Sequence, residues 1–296
     1  MKAVLFKRSG SADRLELAEV PRPAPEPREI LVKVYAATVT RGDVALRRPP
    51  VFLWRLFGFP RKTMLGHEFA GAIEAVGADV TRFKEGQRVF GTTTGLTTGS
   101  YAEYICVPEQ GVLDTVPANI TYEQAAPAPV GGLTALRFLR EGDVGRGKRV
   151  LVYGASGSVG TFVVQLATDF GAHVTGVCST SNVDLVRSLG ADDLVDYTKE
   201  DFTEVGRAYD IIFDAVGKGS PRRFRRVLAG NGSLVSVRSS TAKERVEDLL
   251  VLRNLLESRE IKAVIDRRYP LKQIPEAHRY VEEGLKRGNV VITVGS

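Results

Sequence analysis

Arg149-Val-Leu-Val-Tyr-Gly-Ala-Ser-Gly-Ser-Val-Gly160 is the stretch that decides the fold. A short apolar run, Val150 to Tyr153, predicts a buried strand that empties into a glycine-rich turn. Beyond the turn, Val159, Phe162, Val163 and Leu166 recur at helical spacing. Strand, glycine turn and helix in that order form a phosphate cradle, because the first turn of a helix presents unpaired N–H groups and the positive end of its dipole. Gly157 would let backbone approach a pyrophosphate, and Gly160 would let helix pack on strand. The turn carries Ala155-x-Gly157-x-x-Gly160 rather than G-x-G-x-x-G, so the glycines alone fit a tight packing turn equally well.

The surroundings favour the nucleotide. A second strand, His173 to Cys178, is followed by a helix, Val183 to Leu189, and a third strand, Asp193 to Val195. Then come Tyr209-Asp-Ile-Ile-Phe-Asp-Ala-Val-Gly217, another strand into a glycine turn, and the strand Gly232 to Val237. Strands alternating with helices over this length predict an α/β fold with a parallel, doubly wound sheet. Gly154, Ala155, Ser156, Gly157, Ser158, Val159 and Gly160 are therefore candidate dinucleotide contacts. An NAD site usually carries Asp or Glu at the end of the second strand. Here that strand runs into Ser179-Thr-Ser-Asn182, with no acid before Asp184. Hydroxyls and an amide leave room for a 2′-phosphate, which predicts NADP with Ser179, Thr180 and Asn182 around it. The same residues are also good caps for the next helix.

A chain of 296 residues suits two domains. Its 43% apolar and 26% charged residues are those of an ordered globular protein. No apolar run approaches the roughly 18 residues that span a bilayer, and Met1 to Arg8 lacks the pattern of a signal peptide. Two cysteines, Cys106 and Cys178, make no disulfide framework and predict a reducing compartment, the cytoplasm.

The first 120 residues have a different texture. Short β-rich runs at Ile30 to Tyr35, Gly71 to Val76, Arg88 to Phe90 and Ala102 to Val107 are separated by Gly and Pro turns, predicting an antiparallel, barrel-like domain. Helical periodicity returns from Tyr122 to Leu139. The closing run Asn289 to Val294 has no helix after it and is expected to pair back with the first domain.

The order of these elements resembles one family. A β-rich domain carries Leu65-Gly-His-Glu-Phe-Ala-Gly71, Gly99-Ser-Tyr-Ala-Glu-Tyr104 and Pro129-Val-Gly-Gly-Leu-Thr-Ala135. The glycine turn, Leu189-Gly-Ala-Asp192 and Lys286-Arg-Gly-Asn-Val-Val-Ile-Thr-Val294 follow. The chain is similar to the zinc-independent medium-chain dehydrogenases/reductases of the quinone oxidoreductase branch. The resemblance implies a GroES-like barrel domain at 1–120 and 266–296. It also implies a Rossmann domain at 121–265, with NADP(H) bound in the cleft between them. It further implies that Thr134, Val216, Gly217 and Asn289 approach the nicotinamide half of the cofactor and that Tyr197 flanks the adenosine phosphate.

Zinc is not expected. Zinc-dependent members of the family place a metal ligand at the position of His67, but the positions resembling the two cysteine ligands hold Thr40 and a residue near Val130. One histidine and an adjacent acid do not supply the three ligands of a catalytic zinc. Without metal, the implied substrates are quinones or α,β-unsaturated carbonyl compounds, which accept hydride with little polarisation. Thr40 and Asp43 stand where the family often has an Asn-x-x-Asp pair, so they are the candidate catalytic residues. Their spacing also fits a turn cap. His67, Trp54 and Phe57 are expected to line the substrate cleft, the last two from the apolar run Phe52 to Phe59.

Other classes are weaker. None of the nine tyrosines has Lys four residues later, which excludes the Tyr-x-x-x-Lys reductases. The net charge of +6 and the cluster Pro221-Arg-Arg-Phe-Arg-Arg226 leave nucleic-acid binding as a minor alternative to a solvated helix face. The family's usual additional strand after Val237 is missing, because Arg238 to Thr241 leads directly to a helix expected over Lys243 to Leu256. That loss favours a monomer over a homodimer. The alternatives retained are an NADP(H)-dependent alcohol/carbonyl oxidoreductase, and a nucleotide-sensing or RNA-binding protein without turnover.

Overall fold

The computed structural model describes residues 1–6, 9–47, 64–238 and 244–295. In chain order the first elements are β1 (Lys2–Phe6), β2 (Leu15–Glu19), β3 (Glu29–Val39), α1 (Arg41–Arg47), β4 (Glu68–Val76), β5 (Arg88–Thr92), β6 (Tyr104–Pro108) and β7 (Leu113–Thr115). Then come α2 (Tyr122–Ala125), α3 (Ala128–Glu141), β8 (Arg149–Tyr153), α4 (Ser158–Asp169), β9 (His173–Cys178), α5 (Val183–Ser188) and β10 (Asp193–Asp196). The chain closes with β11 (Tyr209–Asp214), α6 (Pro221–Arg225), β12 (Leu228–Ser236), α7 (Val246–Ser258), β13 (Ile265–Pro270), α8 (Ile274–Glu283) and β14 (Asn289–Thr293). They gather into two units. The first is Met1–Val130, Arg245–Glu257 and Ile265–Ser296; the second is Gly131–Glu244 and Ser258–Val264. Residues 122–130 and most of α7 thus cluster with the first unit.

In the first unit β3 is the spine. Its eleven residues are mostly buried, and it pairs antiparallel with β4, β6 and β14. Two register shifts along β4 bend it, as bulges do, and its end delivers Thr38 and Val39 to the start of α1. The sheet order among the described residues is β13-β14-β3-β4-β5-β7, with β6 also on β3, and β1-β2 form a separate antiparallel pair. Gly71 of β4 is required by close approach, since a Cβ there would lie 2.1 Å from the Lys33 carbonyl oxygen. The expected return of the last strand is seen: β14 pairs with β3 from Val290 opposite Val39 to Thr293 opposite Ala36. Ile30, Val32, Phe69, Ile73, Val89, Ile105, Ile274 and Val290 form the core of this unit.

In the second unit five parallel strands lie in the order β10-β9-β8-β11-β12. This is the 3-2-1-4-5 order of a Rossmann sheet, whose crevice opens where the order reverses, at the carboxyl ends of β8 and β11. No further strand among the described residues stands between β12 and α7. Several boundaries differ from expectation. The helical run at 122–139 splits at Pro127, which lacks an N–H, into α2 and α3. β10 extends to Asp196, β12 begins at Leu228 rather than Gly232, and α7 runs from Val246 to Ser258.

Candidate active site

The phosphate cradle is built by backbone. Gly154 ends β8 with φ of +85°, a left-handed conformation that only glycine adopts cheaply, and a Cβ there would meet Val216 Cγ2 at 2.4 Å. A Cβ on Gly160 would stand 2.1 Å from the Gly154 carbonyl oxygen, so the helix is seated on the turn by the missing side chain. Gly157 is the N-cap of α4 and places no side-chain acceptor over the helix start. A Cβ on Gly157 would meet nothing closer than 3.5 Å, so this glycine is not needed for packing. An open helix start above a glycine turn, at the point where the strand order reverses, fits a pyrophosphate.

The second strand ends in a hydroxyl–amide cluster. Asn182 is buried, and its Nδ2 donates to Ser156 Oγ and Ser179 Oγ, both at 3.1 Å, tying the glycine turn to the end of β9. Its Oδ1 is buried without a partner. Neither Ser179 nor Asn182 caps the following turn with its side chain. Asp196, at the end of the neighbouring strand β10, was not anticipated from the sequence. It accepts from the Thr180 hydroxyl, from Thr198 Oγ1 at 2.6 Å and from Thr198 N at 3.0 Å. These hydrogen bonds, Thr180's foremost, pull its carboxyl down to about 2. Tyr197 beside it is 59% exposed.

At the end of β11, Asp214 is buried and accepts from Val216 N at 3.1 Å, Gly217 N at 2.9 Å and Gly219 N at 3.2 Å. It holds the turn that carries Val216 and Gly217 next to Tyr153, since the Ala215 N–H donates to the Tyr153 carbonyl. Thr134, on α3, is half-buried.

In the first unit, Thr40 and Asp43 form a reciprocal cap at the start of α1: Thr40 N donates to Asp43 Oδ2 at 2.8 Å, and Asp43 N donates to Thr40 Oγ1 at 3.1 Å. The cap is the smaller part of their work. Asp43 is fully buried and also accepts from Thr40 Oγ1 at 2.6 Å, Gly66 N at 3.0 Å and His67 Nδ1 at 2.7 Å. Burial pushes its carboxyl up, but His67 and Thr40 outweigh that and hold it well below the usual carboxylate range. Tyr101 is fully buried, and burial, with the charge of Asp43 second, raises its hydroxyl far above its ordinary value. Tyr101 Oη lies 3.2 Å from His278 Nε2. His278 is fully buried, and that burial lowers it to about 4. Tyr101 and His278 were not anticipated from the sequence.

Glu68, next to His67, is buried and accepts from Thr38 Oγ1 and, at 2.7 Å, from Val130 N. Lys286 donates to the Gly288 carbonyl at 2.6 Å, and its burial, with the charge of Arg41, brings the ammonium down to about 8. Asn289 is buried in β14. Trp54 and Phe57 lie outside the described residues. The donor set does not fit zinc: Thr40 turns its hydroxyl proton to Asp43, and Val130 brings only a backbone N–H, already given to Glu68.

Residues 26–118 match the alcohol dehydrogenase GroES-like domain, and residues 158–282 match the zinc-binding dehydrogenase domain. The chain is 33% identical to the 2-methylene-furan-3-one reductase of Solanum lycopersicum, over 99% of this chain and 79% of that protein. It is 32% identical, over the same shares, to the chloroplastic NADPH-dependent alkenal/one oxidoreductase of Arabidopsis thaliana. The quinone oxidoreductase structure from Coxiella burnetii superposes with a TM-score of 0.92 at 28% identity, covering 100% of this chain and 99% of that one.

Proposed function

This chain belongs to the medium-chain dehydrogenase/reductase family, and from that premise we propose that it is an NADPH-dependent reductase of quinones and α,β-unsaturated carbonyl compounds, working without zinc. The observation that carries the proposal is the cradle itself, a glycine-seated helix start with no capping side chain, followed by a hydroxyl–amide cluster at the end of β9. The substrate class follows the relatives, one named for a methylene-furanone, one for alkenals and enones with NADPH, and one for quinones.

When bound, the reduced nicotinamide supplies the hydride. Residues 154–160 receive the pyrophosphate, and Ser179, Thr180, Asn182 and Tyr197 surround the adenosine phosphate. Thr134, Val216, Gly217 and Asn289 serve the nicotinamide half. Thr40 and His67 face the substrate, and Asp43, sealed from solvent, acts through them. The proposed domains are 1–120 with 266–296, and 121–265.

Among the described residues no helix is long and apolar enough to cross a membrane. Cys106 and Cys178 are free thiols, which supports a cytoplasmic setting. A monomer is proposed because β12 is the last strand of its sheet among the described residues. A sedimentation mass twice that of the chain would refute it.

Titration with NADPH, followed by nicotinamide fluorescence and controlled with NADH, tests the function. Tight NADPH binding with turnover of enones or quinones is the expected result. Equal binding of NADH removes the phosphate pocket, and binding without turnover of any carbonyl, enone or quinone moves the chain to the nucleotide-sensing alternative.

A further inference from the structure

We propose that Asn182 is a positioning residue that sets the hydrogen-bond polarity of the phosphate pocket, leaving the hydroxyl protons of Ser156 and Ser179 to be donated to the phosphates of the cofactor. The inference rests on the reductase reading and narrows it to the groups that tell NADPH from NADH.

Polar residues after a strand are commonly spent on capping the next helix. Here they are not. Ser179 is the N-cap of the turn at 180–182 and Asn182 is the N-cap of α5, yet neither side chain makes a capping hydrogen bond. Asn182 turns inward to the glycine turn instead. Its Nδ2 carries two protons, and two acceptors take them, Ser156 Oγ and Ser179 Oγ, each at 3.1 Å. The amide is buried, so water does not compete for these bonds. Its Oδ1 is buried and meets no donor, so the one atom left over is an acceptor, which has no attraction for a phosphate. Asn182 therefore acts on an anion through the two serines.

A serine hydroxyl has one proton and two lone pairs. Asn182 engages a lone pair on each serine, and the proton of each stays available. Among the described residues Ser156 gives its proton to no other group. Beyond Ser179 stands Ser181 Oγ at 3.4 Å, too far to hold the proton against a charged phosphate oxygen. Thr180 is the opposite case, because its hydroxyl proton goes to the Asp196 carboxylate. Of these two neighbouring hydroxyls, Ser179 is the one open to a phosphate.

The serines stand at two different points of the pocket. Ser156 lies in the glycine turn, one residue before the N-cap of α4, and Ser179 follows the last residue of β9. In a Rossmann sheet the first place belongs to the pyrophosphate and the second to the adenosine ribose with its 2′-phosphate. One buried amide thus prepares a donor for each.

Fluorescence titration of variants with NADPH and NADH tests this. Ser179→Ala should weaken NADPH about tenfold and leave NADH within about twofold, while Ser156→Ala should weaken both by the same factor, about fivefold. Asn182→Ala frees both hydroxyls to rotate and should weaken NADPH about tenfold and NADH about threefold. In a Ser156→Ala/Ser179→Ala background the same Asn182→Ala change should alter NADPH affinity by less than about twofold, because the groups it positions are gone. A residue that merely holds the loop would cost as much in either background, and that result overturns the inference. So does unchanged NADPH affinity in Asn182→Ala. Thermal melting of the cofactor-free chain gives a second reading. Removing both serines strands a buried amide NH2, so the double variant should melt below the unmodified chain, and adding Asn182→Ala should recover part of the loss. A double variant that melts with the unmodified chain overturns the bonds from which the inference starts. Should Asn182→Ala fail to fold, Ser179→Ala still decides, since unchanged NADPH binding there overturns the inference. An unmodified chain that binds neither nucleotide, or reduces no enone or quinone, overturns the reductase reading instead.

Discussion

The glycine cradle of the second unit and the Asp43 cluster of the first are assembled in opposite ways. The cradle works by what is missing: no Cβ on Gly154 or Gly160, and no capping side chain at the start of α4. The Asp43 cluster works by what is present, with donors from residues 40, 66 and 67 converging on one buried carboxylate. A backbone site tolerates almost any neighbour and no added atom. A side-chain cluster tolerates changes of shape and no change of charge. The first should break sterically and the second electrostatically.

The sharpest steric test compares two glycines three residues apart in one turn, Gly157 and Gly160. At Gly160 an added Cβ meets backbone at 2.1 Å, the Gly154 oxygen, which no rotamer change can relieve. Gly160→Ala should weaken NADPH binding about 1,000-fold, about 4 kcal/mol, and lower folding stability by about 1–3 kcal/mol. Gly157→Ala should fold as before, since its Cβ has 3.5 Å of room, yet weaken NADPH binding because phosphate must approach there. Fluorescence titration and thermal melting read both. If Gly157→Ala binds NADPH normally, the turn is a packing device and the contrast between the two sites collapses.

The electrostatic test is acid. His278 is held to about 4, against an ordinary value near 6.5, with burial the main cause. The unfolded chain therefore takes up a proton on this ring as pH falls below 6.5, while the folded chain does not until about 4. Stability attributable to His278 is complete above pH 6.5, declines as pH falls toward 4 and levels below it, a loss of about 3 kcal/mol. Denaturant melts between pH 7 and 4 should show this slope, and His278→Gln should remove it. A slope unchanged in the variant would show that His278 is protonated in the folded protein.

The same contrast explains what the sequence made legible. The alternation of strands and helices in the second unit could be read because apolar runs of four or five residues, glycine turns and helical spacing are local signals. β12 was entered late because Leu228-Ala-Gly-Asn, its first four residues, lacks the apolar signature of a strand. In the first unit the Thr40–Asp43 pair was legible, being three residues apart. His67 and Asp43 are 24 residues apart and Tyr101 and His278 are 177 apart, separations at which no spacing rule operates. Sequence shows a titratable residue but not which carboxylate it faces.

Asp196 is the smallest and most discriminating case. The residues that end β9 carry no acid, while its parallel neighbour β10 supplies one, where Asp196 stands opposite Cys178. Its carboxyl, held down to about 2 mainly by the Thr180 hydroxyl, carries full charge one hydrogen bond from the residues assigned to the 2′-phosphate. Lys199, 3.5 Å away and 68% exposed, offsets part of it. A like charge at that distance opposes phosphate, and salt screens it. Asp196→Asn should therefore tighten NADPH about three- to fivefold at low ionic strength, leave NADH nearly unchanged, and lose most of that gain in high salt. The opposite pattern, NADH sharply weakened and NADPH unmoved, would mean that Asp196 accepts from the ribose hydroxyls. The second unit would then hold its nucleotide as the first holds His67, by a carboxylate drawn from a distant part of the chain.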